Sequence, residues 1–139
     1  MQKLNSHPLY CYLDAAEITL LKSVALSQSY QAEETIIQTG NRSRDIICVE
    51  KGCVSIRIED GDGKMLEVAR IDEGNLIGEM NFVIPTRRTA NVIALSEVQA
   101  DIFPFHALCK LLKAEPVLAY KVFAALNLQL RDKFIGMLK

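Results

Sequence analysis

From about residue 30 to residue 103 the chain repeats one arrangement, a short run rich in Val and Ile followed by a glycine-bearing turn. The runs are ETIIQTG, DIICVEKG, CVSIRIEDGDG, KMLEVARIDEG, TANVIAL and EVQADIF. In SIRIE, Ile56 and Ile58 alternate with Ser55, Arg57 and Glu59. In EVQADI, Val98, Ala100 and Ile102 alternate with Glu97, Gln99 and Asp101. Successive side chains of a strand point to opposite faces, so a period of two with one wet face predicts an antiparallel sheet. DGDG at 60–63 is a hairpin signal. The glycines at 40, 52, 61, 63, 74 and 78 fall mostly where one run ends and the next begins. Many short strands with frequent glycine turns restrict the fold to a sandwich or a small barrel such as a jelly roll.

The two ends follow a helical period instead. In residues 14–26, DAAEITLLKSVAL, the apolar positions Ile18, Leu21, Val24 and Ala25 have helical spacing, and Asp14 suits an N-cap. After Phe103-Pro104 a short helix, FHALCKLLKA, is expected to end near Pro116, because proline disfavours helical geometry in the residue before it. A longer helix is expected from Pro116 to Lys139. Its ladder is Leu118, Val122, Leu126, Leu130 and Phe134, with Ala119 and Phe123 alongside. The expected fold is therefore mainly β with flanking helices: a jelly-roll barrel (double-stranded β-helix) over about 28–103, an N-terminal helix, and C-terminal helices over about 104–139. The 139 residues suffice for one domain with a real core but not for two.

Composition narrows the function. The chain is 50% hydrophobic and 24% charged, a globular balance. A net charge of −1 argues against a general nucleic-acid binder, so no direct DNA binding is expected. MQKLNSHPLY contains no apolar run like the core of a signal peptide, and nothing approaches a membrane-spanning run. The expectation is a soluble, cytoplasmic chain with no membrane partner. The cysteines at 11, 48, 53 and 109 form no CxxC pair and read as buried reduced thiols. His7 and His106 are far apart in sequence, with no partner spacing. There is no GxSxG elbow, Walker loop or histidine cluster, so neither a catalytic set nor a metal site is expected, and a cupin-like enzyme is disfavoured.

One stretch breaks the pattern: GEMNFVIPTRRTANV, Gly78 to Val92. It places a carboxylate and a guanidinium at the two ends of a segment that is otherwise suited to burial. Gly78 permits a sharp turn or close approach to a ligand. Residues 79–84 are long enough for one helical turn, whose free N–H groups suit an anion. Arg88, just before the strand residues Ala90, Val92 and Ala94, can reach the barrel mouth and grip a phosphate in a fork. Glu79, acceptor-only as a carboxylate, can take a hydrogen bond from a sugar hydroxyl. A ligand with one phosphate, one free ribose hydroxyl and a flat base meets all three demands, as a cyclic nucleotide does. The bland alternative is that Glu79 and Arg88 pair with each other or face water and bind nothing.

Gly78-Glu79-Met80-Asn81-Phe82, a spacer from Val83 to Arg87, and Arg88-Thr89-Ala90-Asn91-Val92 resemble the phosphate-binding cassette of the cyclic nucleotide-binding domain family. Gly40, the DIICVEKG run, the DGDG hairpin and the approach IDEGNLIGE resemble that family's frame, over roughly residues 14–135. The resemblance implies that Arg88 pairs with the cyclic phosphate and that Glu79 accepts from the ribose 2′-hydroxyl. Gly78 and the backbone N–H groups near Met80, Thr89 and Ala90 would complete the cradle. Val68, Ile71, Ile77 and Val92 would supply the pocket wall, and Leu130 and Phe134 of the last helix a lid. Asn81 departs from the family's small residue, which would shift the cassette helix, and Arg87 reads as a solvated loop residue. Thr89 bears on base choice: the resembling cyclic-GMP-dependent kinases have threonine there and the cyclic-AMP-dependent kinases alanine, so cyclic AMP and cyclic GMP both stay open. With the long helix reaching Lys139, no helix-turn-helix domain is expected after it. The expectation is thus a stand-alone regulatory sensor, not an enzyme, which needs no cofactor and works through a separate effector protein. The last helix could also join two copies as a homodimer. The alternative is the same fold with a decayed pocket, used as a protein-interaction scaffold.

Overall fold

The computed structural model describes residues 1–137. Among them eight strands form two four-stranded antiparallel sheets. They are β1 (Leu26–Tyr30), β2 (Thr35–Ile37), β3 (Ile46–Lys51), β4 (Cys53–Glu59), β5 (Met65–Asp72), β6 (Asn75–Ile77), β7 (Asn91–Ala94) and β8 (Val98–Phe103). One sheet has the order β1-β8-β3-β6 and the other β2-β7-β4-β5, a jelly-roll-like sandwich that is not closed into a full barrel. Helix α1 (Ala15–Lys22) precedes the strands, α2 (Glu79–Val83) joins β6 to β7, and α3 (Phe105–Ala114) and α4 (Pro116–Met137) follow.

The period of two explains where the core sits. In β3, Ile47 and Val49 face inward between the sheets, where they pack with Ile37, Val54, Ile77, Val92 and Val98. Ile46 and Cys48 point the other way, under the helices, into a second cluster with Leu21, Phe103, Leu108, Leu118, Val122 and Leu126. Both faces of β3 are covered, which is why DIICVEKG reads as a continuous apolar run. The β4–β5 hairpin forms at the expected place. Asp60 Oδ1 accepts from the backbone N–H of Asp62 at 2.8 Å and of Lys64 at 2.9 Å, and Gly63 takes φ +81°.

Three expectations need correction. Helix α1 has the expected capping box, with the Asp14 side chain accepting from Glu17 N–H, but it ends at Lys22 rather than at residue 26. Leu26 instead pairs with Ile102 in the sheet, so strand pairing overrides a local helical period. In SIRIE the supposedly wet Ser55 is fully buried, its hydroxyl donating to Glu67 at 2.8 Å and accepting from Arg57 at 3.0 Å. Ile58 is exposed, because it stands at the hairpin end of β4 opposite Leu66, which is exposed as well. The N-terminal segment also carries core residues: Leu9, Tyr10, Cys11 and Leu13 are all buried.

The C-terminal helices begin where the prolines predict. Pro104 offers no side-chain cap to α3, so Asp45 supplies one from the loop before β3, its Oδ1 accepting from Phe105 N–H at 2.8 Å. In α4, Leu118, Val122 and Leu126 are buried, each such leucine stabilising the fold by about 1.5–3 kcal/mol. Leu130 is half-buried and Phe134 is 60% exposed, so the ladder leaves the core partway along the helix. The last two residues of the expected helix, 138–139, lie outside the described residues.

Candidate ligand-binding site

A cavity of about 560 Å³ opens beside the second sheet. That is the size of a small-molecule site. The structure places the four expected wall residues, Val68, Ile71, Ile77 and Val92, on its lining, together with Gly78, Glu79, Met80, Arg88, Thr89 and Ala90. Ile37, Ile56 and Ala69 extend the apolar wall, and Asn81, Lys133 and Gly136 add to the rim; sequence reasoning named none of these as lining residues. The expected lid residues Leu130 and Phe134 do not line it, and α4 borders the cavity through Lys133 and Gly136 instead.

Arg88 is 4% exposed, and its guanidinium is fixed by neutral groups only. Nε donates to Ser43 Oγ at 3.1 Å, Nη1 to Gly78 O at 3.3 Å and to Asn81 Oδ1 at 3.1 Å, and Nη2 to Asp45 O at 2.8 Å. Gly78 makes this approach possible. It has φ +82°, and a Cβ there would stand 3.0 Å from the guanidinium carbon and closer still to Nη1. The backbone of Arg88 is clamped as well: its N–H donates to Asn41 O and its carbonyl accepts from Gly40 N–H, both at 2.8 Å. Among the described residues no carboxylate lies within 4.0 Å of the guanidinium. Burial lowers its pKa from the ordinary value, against the opposing pull of the Asp45 and Glu79 carboxylates. A buried cation held open to a cavity without a counter-ion is a site for an anion.

Glu79 is 1% exposed. It does not pair with Arg88, as the bland alternative supposed. Its Oε1 accepts from the Lys133 ammonium, which reaches across from α4 and also donates to Leu76 O at 3.4 Å.

Asn81, the departure from the expected small residue, ties the cassette together. Its Nδ2 donates to Thr86 O and Oγ1 at 3.1 Å and to Arg87 O at 3.3 Å, while its Oδ1 accepts from Arg88. Among the described residues the backbone N–H groups of Thr89 and Ala90 have no hydrogen-bond partner, and both residues line the cavity beside Arg88. Arg87 points the other way, into an outer cleft with Arg42, Arg44 and Pro85. Arg44 is anchored there, donating to Asn81 O at 3.0 Å and Phe82 O at 2.8 Å and lying 4.0 Å from the Phe105 ring centre.

A second polar grouping escaped sequence reasoning because His7 is more than forty residues from its partners Cys48 and Glu50. The ligand atoms of His7, Cys48 and Glu50 lie within 4.8 Å of one another. The tautomer argues against metal ligation. His7 Nδ1 accepts from the backbone N–H of Leu9 at 3.1 Å and of Tyr10 at 3.2 Å. The ring proton therefore sits on Nε2, 3.2 Å from Glu50 Oε1 and 3.4 Å from Cys48 Sγ, and Nε2 has no lone pair to offer a cation. The grouping instead pins the N-terminal segment to β3. All four cysteines are free; Cys11 and Cys48 are buried and Cys53 and Cys109 half-buried. No helix among the described residues is long and apolar enough to cross a membrane.

The family model described as the cyclic nucleotide-binding domain matches residues 27–115. The chain is 32% identical over 95 residues to the cAMP-dependent protein kinase type II regulatory subunit of Drosophila melanogaster, covering 68% of this chain and 25% of that protein. It is 25% identical over 112 residues to the cAMP-activated global transcriptional regulator CRP of Escherichia coli O6:H1, covering 78% of this chain and 53% of that one. The chain thus spans about a quarter to a half of the length of these curated relatives. Among solved structures, a cyclic nucleotide-binding domain from Methylobacillus flagellatus KT superposes with a TM-score of 0.86 at 20% identity, over 94% of this chain and 75% of that one. The N-terminal domain of a transcriptional regulator from Streptomyces coelicolor A3(2) gives 0.81 at 24% identity, over 93% and 94%. At these identities the structural likeness is one of fold.

Proposed function

Because the chain belongs to the cyclic nucleotide-binding domain family, we propose that it senses a cyclic nucleotide, cyclic AMP or cyclic GMP, in the cavity beside its second sheet and relays occupancy through its C-terminal helices. The observation that carries this reading is Arg88, a buried guanidinium bonded only to neutral acceptors and lining an open cavity. A decayed pocket used as a scaffold would have no use for such a cation, since a buried charge without a counter-ion lowers stability.

In this reading the cyclic phosphate sits on Arg88 and on the backbone N–H groups of Thr89 and Ala90. The ribose 2′-hydroxyl donates to Glu79. The base lies against the apolar wall of Ile56, Val68, Ile71 and Val92. The role is regulatory rather than catalytic.

The contacts of α2 support the proposal of a relay. Phe82 packs edge-on against Phe105 of α3 at 5.5 Å and lies 6.2 Å from Phe123 of α4. Asp45 holds Arg88 with its carbonyl and the first turn of α3 with its carboxylate. A change at the phosphate therefore reaches both helices through direct contacts. The exposed apolar side chains Val117, Tyr120 and Phe123 of α4 offer the face that an effector protein or a second copy would read.

Thermal unfolding with and without each nucleotide tests the reading. A ligand that binds only the native state raises the midpoint, by an amount that grows with its concentration. A midpoint unmoved by millimolar cyclic AMP and cyclic GMP would rule the sensor out.

A further inference from the structure

Residues 131 to 136 are all exposed, so among the described side chains none beyond Leu130 is buried to anchor the end of α4 in the core. Among the described residues of this end, Lys133 is the one that reaches back to the β-sandwich by hydrogen bonds, its ammonium donating to the Glu79 carboxylate and to Leu76 O. Resting on the functional reading above, we propose that Lys133 is a built-in competitor for the ribose-hydroxyl position, so that a cyclic ribonucleotide must displace it from Glu79 and in doing so releases the end of α4.

The chemistry of the pair leads to this. Glu79 is buried, and a buried carboxylate is costly without a donor, so in the free protein the ammonium is its counter-charge. A carboxylate only accepts, and a ribose hydroxyl would approach the same oxygens from the cavity that Lys133 lines. The two partners differ in freedom. The Glu79 side chain is 2% exposed and that of Lys133 44%, so the pair opens on the lysine side, with the ammonium swinging into water on its flexible stem. Once it leaves, among the described residues no buried side chain beyond Leu126 holds the helix end, since Leu130 is only half-buried. Lys133 therefore acts as a positioning residue. It subtracts from affinity and converts ribose recognition into helix release. A 2′-deoxy ligand, which makes no demand on Glu79, would bind with the pair still closed.

The test combines hydrogen exchange at residues 130–136 with titrations of cyclic AMP, cyclic GMP and their 2′-deoxy analogues, on the wild type and on Lys133→Ala and Lys133→Gln. In the wild type the ribonucleotide should speed exchange at 130–136 and the deoxy analogue should not. In both variants exchange should already be fast and indifferent to ligand. Ribonucleotide affinity should tighten roughly threefold to tenfold, and affinity for the deoxy analogue by less. If the wild type binds but the variants bind the ribonucleotide no more tightly, the competition is wrong, and weaker binding would make Lys133 a ligand contact. A ligand-induced slowing at 130–136 would overturn it too. If the wild type binds no cyclic nucleotide, the functional reading falls together with the competition, a result distinct from either of these.

Discussion

Glu79 and Arg88 stand at the two ends of one loop, and both are buried charges, yet they are held in opposite ways. Arg88 is fixed through neutral acceptors of Ser43, Asp45, Gly78 and Asn81, all in segments that connect the strands, so its position is built in and its charge is left over. Glu79 receives a full counter-charge, but from a half-exposed lysine on a distant helix. The contrast separates two tasks. A rigid, unneutralised group suits affinity, because no internal contact is lost when the anion arrives. A group neutralised by a movable partner suits switching, because binding must exchange one partner for another.

The largest effect should come from the rigid end. Arg88→Ala removes a charge-assisted fork worth roughly 1.5–3 kcal/mol and should weaken nucleotide binding at least tenfold to about a hundredfold in a calorimetric titration. At the switching end, Glu79→Gln should weaken ribonucleotide binding by a smaller factor and scarcely change the 2′-deoxy analogue. Equal losses for the two ligands would separate Glu79 from the ribose. Thr89 lines the same cavity next to Arg88, and Thr89→Ala should shift the ratio of cyclic GMP to cyclic AMP affinity against cyclic GMP by a few-fold, about the worth of one neutral hydrogen bond. An unchanged ratio would assign base choice elsewhere. Arg87→Ala should have the smallest effect, about twofold or less, since Arg87 lines the outer cleft. A loss equal to that of Arg88→Ala would show the register of the cassette to be wrong.

What could be read in advance depended on how local the cause was. The alternation at the start of β8, the Asp60 turn and the helix start at Pro116 are set by neighbouring residues and were legible, whereas the faces of Ser55 and Ile58 in β4 depended on partners across the sheet. Helix α1 was overrun because Leu26 is claimed by a strand pairing with Ile102, far away in sequence. The core role of Leu9, Tyr10 and Leu13 follows from no period at all; the segment is folded back by Asn5 and His7 hydrogen bonds to its own backbone and by the His7–Glu50 contact. The residues of the cassette could be named from their order along the chain. Lys133 could not. The apolar ladder of α4 drew attention to Leu130 and Phe134, but a ladder marks the face that seeks a core, and the rim of this cavity is polar. The residue that reaches Glu79 lies beside the ladder, and nothing in its neighbours signals a carboxylate fifty-four residues away.

A structure of the protein with a bound cyclic nucleotide tests the central claim most directly. The account predicts the cyclic phosphate on Arg88, with guanidinium nitrogen to oxygen distances of roughly 2.7–2.9 Å. It also predicts the ribose 2′-hydroxyl on Glu79, with Lys133 turned away. A phosphate held elsewhere, with Arg88 still bonded only to Ser43, Asp45, Gly78 and Asn81, would contradict it.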